Sequence, residues 1–314
     1  MEKEHIVSAV FAGGPLSPDA LERVLKAHHA WLHNLGGCQA YLPGVMLAEA
    51  TLDRLNLEKA SLRSANFVDA QMDGINLSGA TLEWADLRKA TLREADLSLA
   101  DLTDAKLDDA ILAAASLNEA SLVRTSLQQA NLRAARLFEA RLQECNMTGA
   151  LLREASLHQL QAFSSNFTDA DFSEAKLYHA VFRYCRLNGM SGPGSNWTSA
   201  KLPHCEFRRA NLTSACFLKA DLRDASFWHA TLSGANLQQT QLKSTDLEGA
   251  DLSGARFEDA ATMGADLRGA NLRGARGFTQ TQLRQARTDH ETILPSGKSG
   301  PFMWGSGAHQ PCRF

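Results

Sequence analysis

Between residues 50 and 274 a large apolar side chain returns every fifth residue, at numbers ending in 2 or 7. From position 52 to position 272 there are 45 such centres, and 42 are Leu, Phe, Met or Trp; Ala162, Gly192 and Thr262 are the exceptions. Ala stands two residues before the centre in 33 of the 45 units, and no insertion or deletion breaks the phase. An α-helix needs apolar residues at spacings of three and four, and a half-buried strand needs spacings of two. A period of five fits neither, so the chain must turn in a repeating way of its own, and such self-similarity outranks local propensity.

The unit reads Ala-(Asp/Asn)-Leu-X-X, as in Ala85-Asp86-Leu87-Arg88-Lys89, Ala95-Asp96-Leu97-Ser98-Leu99 and Ala270-Asn271-Leu272-Arg273-Gly274. It resembles the repeat of the pentapeptide-repeat family over about 225 residues. That resemblance implies an all-β solenoid, a right-handed quadrilateral parallel β-helix. Each unit would form one side of a square and four units a coil of 20 residues. The centre and the residue two before it would point inward, the other three outward. The repeat then makes about 11 coils, roughly 50–55 Å of rod at ~4.8 Å per coil.

The residue types suit that geometry. A narrow square interior takes one large side chain per side only if the second inward residue is small, hence Leu with Ala. Asp, Asn, Ser and Thr before the centre suit tight turns, because their short polar side chains bond nearby backbone. Burying four large residues per coil is worth roughly 6–12 kcal/mol, while ordering the backbone costs ~1–2 kcal/mol for each residue. A coil cannot fold alone, and hydrogen bonds between stacked coils must supply the rest.

Four segments follow: an N-terminal arm and capping helix (1–45), the repeat (46–277), a C-terminal cap (278–295) and a Gly/Ser-rich aromatic tail (296–314). Residues 6–13 are a short apolar run flanked by Glu2 and Glu4, read as a strand or arm and not as a signal peptide. Residues 17–36 read as an α-helix with Ser17 as N-cap, Pro18 in the first turn and Gly36 as its end. Leu21, Val24, Leu25, His28, Trp31, Leu32 and Leu35 form its apolar face. His29 and His33, at helical spacing, admit a metal site or simply a cap helix; the latter is the simpler reading. Past the phase slip at Gly277-Phe278, residues 279–287 read as a short helix capped by Thr279 or Thr281. Phe302, Met303, Trp304 and Phe314 in the tail are candidate contacts for a partner.

Net charge is −3, which argues against direct nucleic-acid binding, and no apolar run reaches the ~20 residues of a membrane span. Cys145, Cys185 and Cys205 take inward Ala positions on one side, with Cys185 and Cys205 expected to stack. A disulfide or metal pair is conceivable there; small core residues in a reducing cytosol account for them better. Cys216 points outward. In the stretch 189–197, Trp197 should fill the space that Gly192 leaves empty.

Outward columns mix signs: Arg63, Arg124, Arg141, Arg183 and Arg223 share a face with Glu83, Asp101, Asp104, Glu144 and Asp224. Some members of the family mimic duplex DNA and bind type II topoisomerases, which needs a strong negative potential; balanced columns and a capping helix at both ends make this chain a poor mimic. Outward Phe138, His158 and Tyr178 recur at 20-residue spacing, Leu218 continues their column, and Phe163, Val181 and Tyr184 lie on the next face. This patch is either an interaction site or a self-stabilising ladder of stacked side chains. Trp84, and Trp228 with His229, stand alone on their coils. No catalytic constellation, metal set or cofactor motif is present, and convex solenoid sides rarely form catalytic pockets. The sequence therefore reads as a cytoplasmic, non-enzymatic scaffold or adaptor that binds another protein, as monomer or dimer. The resemblance adds two roles: an accessory of bacterial type VI secretion, and, as the alternative, a gyrase-protecting DNA mimic.

Overall fold

The computed structural model describes residues 16–303. The apolar run 6–13, Trp304 and Phe314 lie outside the described residues. The chain divides between Leu151 and Leu152 into two compact units.

The first unit opens with helix α1, Pro18–Leu32, whose N-cap Ser17 accepts from the Ala20 amide. The helix stops short of the expected Gly36. Asn34 takes a left-handed conformation, φ 56°, and the chain turns there. The amides of Leu35 and Asn34 reach back to the carbonyls of Ala30 and Trp31 at 2.8 and 3.1 Å, the paired bonds of a Schellman stop. Leu35, expected on the apolar face, is thereby turned out and is 76% exposed. Gly37 is needed for close approach, since a Cβ there would lie 2.2 Å from the Ala27 carbonyl oxygen. His28 is fully buried, its Nδ1 accepts from the Ala40 amide at 3.0 Å, and burial lowers its pKa, opposed by Glu58. His29 and His33 are exposed and pack ring against ring at 4.2 Å. No metal-binding group of three or more His, Cys, Asp or Glu exists among the described residues.

From Tyr41 onward residues 20 apart pair in parallel, from Tyr41↔Ser61 to Asn131↔Leu151. Strands β1 (Ser121–Val123) and β2 (Arg141–Gln143) belong to this ladder. One unit shows how five residues close their own hydrogen bonds. The amides of Asn66, Phe67 and Asp69 go to carbonyls of neighbouring coils at 2.8, 2.7 and 3.0 Å, and that of Ala70 returns to Phe67 at 3.0 Å. The remaining amide, of Val68, is taken by Asn66 Oδ1 at 3.0 Å. The Asp or Asn of the repeat thus caps the one N–H that coil stacking leaves open, and buried N–H groups rarely stay unpaired. Asp69 has φ 56°, which with the Ala70–Phe67 bond makes a type II turn. Every residue of positive φ from Glu49 to Gly274 occupies this same turn position. Asn66→Ala strands the Val68 amide and should cost about 1 kcal/mol, read by urea unfolding; no measurable loss would refute the capping role.

The second unit repeats the scheme from Ser156↔Lys176 onward, with β3 (Gln161–Phe163) and β4 (Val181–Arg183) paired in parallel. Its core is aromatic. Trp197 is fully buried, with ring centroids of Phe172, Phe182, Phe207 and Phe217 at 5.5–5.9 Å. Its indole N–H donates to Ser195 Oγ at 2.8 Å, and that hydroxyl donates to the Gly192 carbonyl at 2.6 Å. The atoms nearest a Cβ at Gly192 are Met190 Cε, Ser195 Oγ and Leu212 Cδ2. Met190, Ser195 and Leu212 thus come nearest to Gly192, and Trp197 reaches this turn through Ser195. Cys185 and Cys205 are buried free thiols, and burial pushes Cys205 well up. Cys216 is half-buried, with Thr198 Oγ1 at 3.4 Å from its sulfur.

The phase slip at Gly277 begins a closing segment. Helix α2, Gln280–Gln285, carries a Thr279–Gln282 capping box. It ends before the expected residue 287 because Arg287 must rejoin the ladder: its amide bonds the Ala265 carbonyl at 2.8 Å. Phe278 stacks on Phe257 at 4.1 Å. Asp289 Oδ1 accepts from the amides of Gly269, Glu291 and Thr292. These bonds, Gly269's foremost, hold its carboxyl below the usual carboxylate range. The first residues of the tail fold back on this segment: Ile293 and Ser299 pair antiparallel, and the Phe302 amide donates to Thr288 Oγ1 at 3.0 Å. Met303 is 66% exposed.

Candidate protein-binding surface

The solenoid geometry decides where functional groups can sit. Inward positions are filled by packing residues, so chemistry is confined to the outward three of every five. In the second unit the expected patch resolves into separate stacks. His158 lies on Tyr178 at 4.9 Å, and the Tyr178 hydroxyl accepts from Asn196 Nδ2 at 2.9 Å. Burial, then Lys176 and His179, holds the His158 pKa below the ordinary histidine value, which favours a neutral ring. This column does not run on to Leu218 as an aromatic ladder, because Thr198 stands between; its hydroxyl bonds Asn196 Oδ1 at 2.7 Å, and Leu218 is half-buried.

On the next side the Tyr184 ring stacks on His204 at 5.1 Å, and the Arg183 guanidinium lies 5.8 Å from the centre of the Phe163 ring. Val181, on β4, is half-buried. Tyr184 is 64% exposed and Phe163 37%. The structure thus joins His158 with Tyr178 and gives Phe163 and Tyr184 partners that sequence reasoning missed: Arg183, His204 and, for Tyr178, Asn196. Two of these were findable, since Arg183 follows Phe163 and His204 follows Tyr184 by one 20-residue coil. Phe138 belongs to the first unit, where it is 37% exposed and its amide bonds Asn118 Oδ1 at 2.9 Å.

Several charges on the outer sides are paired, either along a column or with a carboxylate two residues away. Arg63 bonds Glu83, and Arg93 and Arg124 bond Asp73 and Asp104 at 3.1 and 2.6 Å. In the second unit Arg223 pairs Asp221 at 2.6 Å, while Arg268 holds both Asp266 and Glu248. The hydrogen-bonded arginines lower the pKa of Asp86, Asp104, Asp221 and Asp266. These carboxylates stay charged and locally neutralised. No described helix is long and apolar enough to cross a membrane.

Twenty-residue coils of four five-residue sides, an Ala/Leu interior and turn-capping Asp or Asn define a four-sided parallel β-helical solenoid. Eight copies of the pentapeptide repeat model match, over residues 40–189 and 195–259, and the chain belongs to this family, whose fold is the right-handed quadrilateral β-helix. The gap at 190–194 falls on the Gly192 irregularity. No curated protein matches the chain. Among solved structures, the chain is similar to HetL, a pentapeptide repeat protein involved in heterocyst differentiation regulation in Nostoc sp. strain PCC 7120. The two are 28% identical over 90% of this chain and 99% of HetL, with TM-score 0.29. A pentapeptide repeat protein of the Arabidopsis thaliana thylakoid lumen is 35% identical over 31% of this chain and 65% of its own, with TM-score 0.26. QnrB1, a plasmid-mediated fluoroquinolone resistance protein, is 22% identical over 54% of this chain and 80% of its own, with TM-score 0.29.

Proposed function

We propose that this chain is a non-enzymatic scaffold that binds another protein through the outer sides of its second unit. The observation that carries this reading is the pair Phe163 and Tyr184. Both rings are left open to solvent, 37% and 64% exposed, yet each is held in place by Arg183 or His204. Pre-held rings lose little entropy on binding, and aromatic residues are enriched at protein interfaces. His158, Tyr178, Val181 and Leu218 flank this surface as half-buried support; Phe138 in the first unit and tail residues Phe302 and Met303 are secondary contacts. In this reading the protein works in the cytoplasm and uses no cofactor.

A narrower role, as an accessory of a bacterial type VI secretion machine binding a spike or adaptor component, has support only from the family likeness. The alternative, gyrase protection by DNA mimicry, is disfavoured by a net charge of only −3 and by arginines interleaved with the acids of the outer columns, which weaken the negative potential that mimicry needs. Affinity capture from the native host, wild type beside Phe163→Asp/Tyr184→Asp, tests the proposal. The expected result is a partner lost by at least about tenfold in the variant, the size of a modest hot spot. Topoisomerase subunits retained equally by both proteins would replace the scaffold reading with the gyrase one.

A further inference from the structure

A different side of the second unit carries an open groove of about 320 Å³ whose walls include Gly189, Arg208, Arg209 and Trp228. Trp228, which looks isolated in the sequence, has neighbours: the Arg209 guanidinium lies 5.3 Å from its ring centre, and His229 packs edge-on at 4.1 Å. Gly189 adds no side chain to the groove floor, and Asp169 leans over it so closely that a Cβ there would lie 2.3 Å from Oδ1.

Exposed arginines line this groove beside the indole. Arg208 and Arg209 are exposed, and neither enters an ion pair among the described residues. Glu206, two residues before Arg208, accepts from Asn188 Nδ2 at 2.9 Å. Asn188 also accepts the Arg208 amide at 3.0 Å, which ties the backbone under the arginines. Two guanidinium groups without an ion-pair partner, Arg208 and Arg209, therefore line the groove beside a fixed indole, with Asp169 as the acid in the same lining.

We propose that this groove docks an acidic peptide segment of a protein partner, with carboxylates on Arg208 and Arg209 and an aromatic side chain against Trp228. Arginine forks suit carboxylates bidentately, and an indole already held in place offers apolar area with little entropy left to lose. A nucleic-acid backbone is disfavoured because Asp169 and Glu206 interrupt the basic strip, and phosphate binding draws on many cations at once. The proposal rests on the scaffold reading but uses a side other than that of Phe163 and Tyr184.

The test is selection of a random peptide phage library on the full chain, followed by anisotropy titrations of the selected peptides. Wild type is compared with Arg208→Gln/Arg209→Gln, Trp228→Ala and Tyr184→Ser; the glutamines keep most of the arginine stems. Matching circular dichroism and melting curves establish that the variants fold. Enriched peptides should share at least two Asp or Glu residues around an aromatic one. Affinity should fall about tenfold or more in the double glutamine variant and in Trp228→Ala, stay level in Tyr184→Ser, and weaken with salt. Peptides without an acidic consensus, absence of any binder, or full displacement by single-stranded oligo-dT overturns the proposal. Peptides sensitive only to Tyr184→Ser overturn it too, while leaving the scaffold reading standing.

Discussion

Trp197→Ala is expected to lower the unfolding free energy by about 3–5 kcal/mol. Among the described residues the indole is the largest fully buried side chain, and four phenylalanine rings lean on it. Those rings sit on stacked coils whose backbone is fixed by ladder hydrogen bonds, so the hole cannot close by collapse. Gly192, the preceding centre, has no side chain to swing in. Loss of the indole also removes the donor that holds Ser195. Because a solenoid is stabilised by nearest-neighbour contacts, the damage should be local: hydrogen exchange should quicken first in the coils spanning residues 172–217. Ser195→Ala, which leaves the ring in place, should cost far less. Urea unfolding and exchange mass spectrometry read both; a loss under about 1.5 kcal/mol, the scale of a single methylene deletion, would mean that the aromatic cluster does not hold this unit together.

Gln282→Ala is expected to cost about 2–4 kcal/mol, since it strands buried carbonyls as well as breaking bonds. The Gln282 amide nitrogen donates to the carbonyls of Phe257 and Ala260 at 3.1 and 2.8 Å, and its oxygen accepts from the Thr279 amide at 2.7 Å. One buried side chain thus closes helix α2 and covers the coil that ends at Ala260. Exposed coil ends need such covers. The expected signature is early unfolding of residues 257–303 with coils nearer residue 172 unaffected. Uniform destabilisation of the whole unit would contradict a capping role.

The coil interior could be read from the sequence because its rule is local: every fifth position is large, and its partner two residues earlier is small. The outer surface was harder to read. Phe163 with Arg183 and Tyr184 with His204 follow from the 20-residue coil once it is known, and need only arithmetic. Asn196 under Tyr178 does not, because it crosses from one position of the side to another, 18 residues on. The stop of α1 was misplaced at Gly36 because Asn34 could take the left-handed conformation first. At the irregular coil Met190, Ser195 and Leu212 come nearest to Gly192, and periodicity carries no information about such side-chain reach. Trp228 looked isolated because its contacts, Arg209 and His229, lie at neither the period of five nor that of 20. The arginines beside it were likewise invisible, since only coordinates show which side chains line the groove.

The central claim is that the open rings of the second unit are there to meet a partner and not to hold the coils together. Urea unfolding of Phe163→Ser and Tyr184→Ser, each alone, tests it most directly. If the rings serve a partner, each substitution costs less than about 1 kcal/mol, as expected for partly exposed stacks. A loss above about 2 kcal/mol for either, the scale of core truncation, would make them a structural ladder and remove the observation on which the scaffold reading rests.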